Sequence, residues 1–289
     1  MRSMRIFWPF VILVLLALTA CNRIGFAYKH LDTLTPWYVD DYLDLDSTQR
    51  RWLDTAISQH LQWHCREELP RYIEWMEHMK PLAQASSVST DVILEQITTA
   101  RRAVDAIALE ITPTAITLLQ GLNDQQVAHL NNKLHEDLEE LRKKHVSPSR
   151  GEQIHERSER MKDRMTFWLG SLSEQQQARI LQWAVQLGDH NKVWLDNRTH
   201  WQKELHMALT ERTSADFPSR LTALLQNRER FWTATYQREF SRIQTLTAQL
   251  VAELLTMRSP LQRQHTIDRL TELQSDLQPY RCDDKNKSF

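Results

Sequence analysis

His60, His64, Glu67 and Glu68 lie within a nine-residue stretch. On an α-helix, at 3.6 residues per turn, they fall on one face about 100° wide. Two histidines four apart with a carboxylate one turn on offer three ligands of the kind zinc or a similar ion takes. The same spacing also suits a structural network in which these groups meet an arginine, a tyrosine or backbone near Pro70, and Leu53, Ile57 and Leu61 lie on the same face and partly bury them. The supply of ligands favours the network. No Cys/His cluster occurs elsewhere, no zincin-type glutamate sits between the histidines, and a catalytic zinc needs three oriented ligands with partners behind them. The expectation is therefore a polar recognition or structural cluster with no metal and no catalytic residue. An unpaired buried charge costs several kcal/mol, so Arg66, Arg71 or a distant arginine should complete it.

No other constellation offers better chemistry. Asp40, Asp41 and Asp44, interleaved with Tyr38 and Tyr42, are expected to form a solvated acidic edge rather than a cation site. There is no Gly-x-Ser-x-Gly elbow and no glycine loop to cradle a phosphate, and no cofactor is implied. Nine tryptophans follow the first twenty residues. Trp52, Trp63, Trp168, Trp183, Trp194, Trp201 and Trp232 lie in helical segments, where packing is the default use of an indole and an exposed aromatic surface the alternative.

The elements that position these residues are helices. Five glycines in 289 residues are too few for a turn-rich β fold, and Leu, Gln, Glu, Arg and Ala fill the stretches between breakers. The fold class is all-α, an irregular multi-helix bundle with long amphipathic helices over residues 36–278. Helices are expected at about 46–80, kinked at Pro70, at 89–120, interrupted near Pro113, and at 123–145. Others follow at 152–169, 173–209, 215–257 and 259–277. Leu130, Leu134, Leu138 and Leu141 place one apolar stripe on the helix at 123–145. Residues 279–289 read as a loose polar tail.

Four helix starts share one device. Asp46-Ser-Thr-Gln49, Asn123-Asp-Gln-Gln126, Ser173-Glu-Gln-Gln176 and Ser259-Pro-Leu-Gln262 each pair a capping residue with a glutamine three positions on. In such a box the cap accepts from the N3 amide while the glutamine reaches back to the cap amide. Leucine precedes the first three caps. Spacings of 77, 50 and 86 residues exclude a solenoid of fixed period, leaving helix starts in an irregular bundle with an old duplication as one origin.

The first twenty residues carry an export signal: Arg2 and Arg5, an apolar run from Phe7 to Leu18, then small residues. The run is shorter than the roughly 20 apolar residues a transmembrane helix needs. Leu18-Thr19-Ala20-Cys21 resembles the lipobox of bacterial lipoproteins, which implies cleavage before Cys21 and acylation of its thiol. Residues 1–20 are then a signal peptide and 21–35 an extended lipidated tether. Acyl chains contribute about 0.8 kcal/mol per buried CH₂, so two or three make a lasting anchor. Asn22 is not the aspartate that the lipoprotein resemblance associates with inner-membrane retention, and this tilts the address toward the outer membrane, facing the periplasm.

Removing residues 1–20 takes two arginines and no acids, leaving 34 basic against 37 acidic residues. No basic block exceeds Arg142-Lys143-Lys144, so a nucleic-acid partner is not expected. With Cys21 acylated, two thiols remain in an oxidising compartment, and Cys65–Cys282 is the candidate disulfide. Against it stands the placement of Cys282 in the polar tail.

The run Trp37-Tyr38-Val39-Asp40-Asp41-Tyr42-Leu43-Asp44-Leu45, then Trp63-His64 and Glu67-Glu68-Leu69-Pro70-Arg71-Tyr72, together with the lipobox and the later Leu-Ser-x-x-Gln start, resembles a family of proteobacterial lipoproteins known only as a domain of unknown function. The resemblance covers essentially the whole mature chain and implies no activity. Leu172-Ser173-Glu174-Gln175-Gln176 is also similar to the Leu-Thr-x-x-Gln motif of the periplasmic chaperone and adaptor proteins Spy and CpxP, which are shorter and soluble.

Three classes of function stay open. The leading one is a non-enzymatic module, chaperone-like or adaptor-like, that is held to the membrane by its N-terminal lipid and binds other envelope proteins; an exposed apolar surface favours it. A metal- or carboxylate-dependent envelope hydrolase requires His64 with Glu67 or Glu68 to line a deep cleft. A lipid-carrying or structural module requires an enclosed apolar cavity.

Overall fold

The computed structural model describes residues 23–282. The signal segment and Cys21 lie outside the described residues, as do residues 283–289. Among the described residues every regular element is helical, so the chain is an all-α multi-helix bundle.

The segment expected as an extended tether is helical from its third residue. Helix α1 spans Arg23–Lys29 and α2 spans Leu31–Leu43. Tyr28 is buried and Leu31 packs beside it, against Leu69, Met76, Leu270 and Leu277. Their partners are 38 to 249 residues away in sequence, so local pattern could not show that this stretch has a surface to fold onto. Asp44, with φ +47°, turns the chain out of α2, and Leu45 goes into the core.

Helix α3 (Ser47–Trp63) passes into a π-helical turn, His64–Glu68, and then into α4 (Leu69–Gln84). The kink expected at Pro70 takes this form. Proline has no amide hydrogen and crowds the preceding turn; here the turn before it is widened, with the Leu69 amide donating to the His64 carbonyl five residues back. A π turn inserts one extra residue and rotates everything after it about the axis. Helix α5 (Thr90–Gln120) runs unbroken through Pro113, contrary to the expected interruption.

Helix α6 is Asp124–His145 and α7 is Arg150–Leu169. The stretch expected as one helix over 173–209 is two, α8 (Glu174–Gln186) and α9 (His190–Thr210). Gly188 at φ +61° makes the turn between them, a conformation glycine adopts without steric cost. The stretch over 215–257 also divides, into α10 (Phe217–Gln226) and α11 (Ala234–Thr256), with a 3-10 turn between. Helix α12 (Pro260–Leu277) lies along α4 and ends in a 3-10 turn, Gln278–Tyr280. The tail expected to be loose is docked as far as residue 282: Tyr280 packs on Tyr28, and the Cys282 amide donates to the Cys65 carbonyl at 3.3 Å.

All four glutamine capping boxes form. A fifth, Ser149 with Glu152, opens α7; it uses glutamate, and a search for glutamine passes over it. The glutamines also work in pairs. The carboxamides of Gln49 and Gln126 bond to each other, and each donates to a carbonyl two residues before the other's cap, Gly121 for Gln49 and Asp44 for Gln126. Gln176 and Gln262 repeat the arrangement, with Gln262 donating to the Ser171 carbonyl. One side chain thus satisfies its own helix start and clasps a second one. Leu45 and Leu122, ahead of the first two caps, are buried in the core between α2, α3, α5, α6, α9 and α10. The fourth cap is preceded by Arg258, whose buried guanidinium donates to the Leu82, Ala83 and Ala85 carbonyls at the end of α4, groups a helix end leaves without partners.

Candidate functional site

The widened turn begins at His64, so it rotates Glu67 and Glu68 relative to the two histidines, which themselves meet different neighbours. His60, still on α3, faces α5: Nδ1 lies 3.0 Å from Glu110 Oε1 and Nε2 lies 2.7 Å from Thr114 Oγ1. His64 opens the π turn and faces α1. Its Nδ1 lies 3.0 Å from the Tyr28 hydroxyl, and the Tyr72 ring meets it edge-on at 5.4 Å. Burial drives the His64 imidazolium out, lowering its pKa from 6.5 to about 4, and raises that of Tyr28. The neutral ring therefore accepts at Nδ1 from the tyrosine hydroxyl. Glu68 is 2% exposed and is bound by Arg71 Nη1 at 2.5 Å and by the Tyr72 hydroxyl. Glu67 points to solvent, with Arg71 Nη2 at 3.8 Å.

Arg71 is thus the cation that completes the network, and Arg66 lies exposed on the same turn. Among the described residues no group of three or more His, Cys, Asp or Glu side chains is placed to hold a metal ion. Each histidine is used in a different contact between segments. Cys65, fully buried in the same turn, is joined to Cys282, with Cα atoms 5.2 Å apart. The turn therefore ties α1, α4 and the segment ending at Cys282 together. Its chemistry is that of a buried polar joint.

Removing Arg71 tests that joint. Arg71→Ala leaves the Glu68 carboxylate buried with only Tyr72 beside it. Losing one partner of a fully buried pair costs about 3–5 kcal/mol; the Arg71 side chain is 62% exposed, so screening lowers the expectation to about 2 kcal/mol. Glu68→Gln added to Arg71→Ala should recover part of this loss, because the amide keeps a hydrogen bond without a charge. Urea midpoints of the two variants check it, and an Arg71→Ala midpoint equal to wild type shows that the pair contributes nothing.

The acidic edge is overturned in part. Asp40 accepts from the Leu45 amide and from Arg50 Nε at 2.9 Å, and Asp41 pairs with Lys133 at 3.1 Å. Tyr42 donates to Asp137 on α6. These acids fasten α2 to α3 and α6. Of the tryptophans, Trp183 is buried in the core between α7, α8 and α11, and Trp201 Nε1 donates to the Leu224 carbonyl. Trp37 and Trp52 are exposed.

A second feature went unnoticed in the sequence. Helix α5 is held at its ends: Val88 and Ile93 pack on Ala248 and Ala252 of α11, and Leu118 and Leu122 enter the core of the first half. Between them Ile97 packs on the α11 side and Arg101 lies over the Phe240 ring, and ion pairs join Arg101 with Glu229, Asp105 with Arg228 at 3.0 Å, and Glu110 with His60. Only three of its 31 residues are buried, Ile93, Thr112 and Leu118. Its most apolar 18-residue stretch is 11% buried, and Leu109 and Ile111 are 64% and 40% exposed. Among the described residues it is the one helix long and apolar enough, by length and composition, to cross a membrane. An apolar helix so little covered is the signal; the expected break at Pro113 concealed it by dividing the stretch in two.

The fold and the site define a helical protein built on paired helix starts and a buried polar joint. The chain belongs to the family described as Family of unknown function (DUF6279), whose model matches residues 41–237. The match takes in His60, His64, Glu67, Glu68, Cys65 and all of α5. It is shorter than the whole-chain likeness expected, leaving outside it α1, most of α2 and α11, all of α12, and Cys282. No curated protein and no solved structure matches the chain.

Proposed function

We propose that this protein is a lipid-anchored lipoprotein of the cell envelope, set on the outer membrane and facing the periplasm, which binds another envelope protein along the apolar face of α5 without catalysing a reaction. The observation that carries the binding role is the exposure of α5. Soluble monomers rarely leave a large contiguous apolar patch uncovered, and those that do use it for interaction. Leu109 and Ile111, 64% and 40% exposed, are the large apolar side chains that stand out from α5 into solvent. A helix laid against such a face is a common form of recognition. The envelope address rests on the Leu18-Thr19-Ala20-Cys21 motif and the apolar run before it. In the polar joint His60 and His64 are spent on contacts between segments and Glu68 on Arg71 and Tyr72, which counts against the hydrolase reading.

The test places a photoreactive benzoylphenylalanine at Leu109 and irradiates intact cells. Discrete protein adducts are expected from Leu109 and none from Leu261, which is 84% exposed at the start of α12. Ile111→Glu should abolish the adducts while shifting the melting temperature by no more than about 2 °C, as suits a surface substitution. Identical adducts from both positions, or adducts untouched by Ile111→Glu, would overturn the reading.

A further inference from the structure

The first residues after the lipidation motif fold into an exposed aromatic edge. On α2, Leu34 is 45% exposed and Trp37 is 61% exposed. Three residues apart, they project within about 60° of each other. Helices α2 and α3 are joined by the tight turn at Asp44 and run back along each other, and the Asp40–Arg50 ion pair sets their register. That register brings Trp52, 39% exposed, level with residue 38. Three of the nine large apolar side chains exposed among the described residues thus belong to this first helical hairpin. Helix α2 carries Asp32, Asp40 and Asp41 and no lysine or arginine.

We propose that this edge is a membrane-docking surface: Leu34 and Trp37 enter the interfacial layer of the bilayer that holds the lipid anchor. The proposal rests on the lipid-anchored reading above, which supplies the occupant. Cys21 stands two residues before α1. Thirteen residues separate it from Leu34, and at 1.5 Å per helical residue that is a reach of about 20 Å, comparable with half a bilayer. A lipid on Cys21 therefore keeps the edge at the surface. Tryptophan suits the depth, since its ring is apolar and its indole N–H seeks the polar layer, and it is enriched at membrane interfaces for that reason. Without a basic residue on α2, insertion of apolar surface drives the contact, and anionic lipid is not required. Docking through α2 also orients the body on its tether.

The test supplies the anchor chemically, so that it does not depend on natural lipidation. Cys65 and Cys282 are bonded to each other, and the chain has three cysteines, so a mature chain beginning at Cys21 has that thiol free. It is coupled to maleimide phospholipid in phosphatidylcholine vesicles, with and without brominated lipid as a contact quencher of tryptophan. Brominated lipid should quench wild type, Trp37→Phe should lose roughly half of the quenching or more, and Leu34→Asp should weaken it, with little change between low and high salt. Trp37 is exposed, so its substitution leaves the fold intact. No quenching of wild type, or equal quenching of Trp37→Phe, overturns the docking surface and leaves the edge as a protein contact. The anchor reading is judged separately, by detergent-phase partition of wild type against Cys21→Ala from cells. If the two partition alike, that reading fails while the vesicle result stands.

Discussion

Between about pH 6.5 and pH 4 the folded chain should lose stability steeply. His64 and His190 are both pushed down to about 4 from 6.5, chiefly by burial; Arg157 adds to the shift at His190, Glu239 opposes it, and Arg242 adds a smaller share. His64 sits among Tyr28, Trp63 and Tyr72 with Glu68 close by. His145 is lowered as well, again mainly by burial, with Glu156 opposing. Each of these groups is neutral when folded, so in this window the unfolded chain takes up protons that the folded chain refuses. Stability is then complete above pH 6.5 and declines as the pH falls toward 4.

One pKa unit corresponds to 1.36 kcal/mol, so His64 and His190 contribute on the order of 3 kcal/mol apiece. Against a total stability of about 5–15 kcal/mol, that is enough to bring the chain near unfolding. Glu77, Glu152 and Asp46 have pKa values lowered by hydrogen bonds and act in the same direction, but only as the pH falls through values below the ordinary carboxylate range. Measurement at about pH 5 therefore isolates the histidines. His64→Gln, whose amide oxygen can accept the Tyr28 bond, should remove roughly half of the pH 7 to pH 5 change in urea midpoint. If wild type has the same midpoint at both values, the buried neutral histidine is ruled out.

Breaking the Cys65–Cys282 disulfide should have an effect of similar size. It closes a loop with a sequence separation of 217. The chain-entropy treatment assigns about 5 kcal/mol to a loop of that length, and removal of native disulfides costs about 2–5 kcal/mol. For a domain of this size that is a fall in melting temperature of about 5–15 °C. The loss has a local part too, because the 3-10 turn Gln278–Tyr280 loses its tie and the Tyr280 ring can leave Tyr28. Thermal unfolding of Cys282→Ser beside wild type, with and without reductant, checks it. Amide exchange of residues 278–282 should rise in the variant. Melting temperatures within about 1 °C of each other would show that the bond does not constrain folding.

Where a signal is local, the residues could be read directly. Asp46, Asn123, Ser173 and Ser259 each announce a helix start three residues before a glutamine, because the capping box is closed within one turn. Leu130, Leu138 and Leu141 mark the buried face of α6 by spacing alone. The joint at residues 60–72 was legible in its parts: the histidines, the carboxylates, the tyrosine and the arginine stand close in the chain. Its geometry was not. A helical wheel assumes 3.6 residues per turn throughout, and the π turn at His64–Glu68 rotates Glu67 away from His60. Whether a proline kinks, widens or is simply carried depends on its neighbours, which is why Pro70 and Pro113 behave differently.

The sequence by itself determined the helical class, the helix starts and the near-neutral charge, since each follows from composition or from bonds spanning at most four residues. Tertiary structure alone decided four things. Residues 23–35 are helical rather than extended because Tyr28 and Leu31 meet Leu270 and Leu277. Residues 278–282 dock because Cys282 meets Cys65. Gln49 and Gln176 clasp glutamines 77 and 86 residues on. And Leu109 and Ile111 of α5 remain exposed. These outcomes depend on which distant apolar and polar groups find each other once the helices pack, and hydrophobic burial has no direction of its own along the chain.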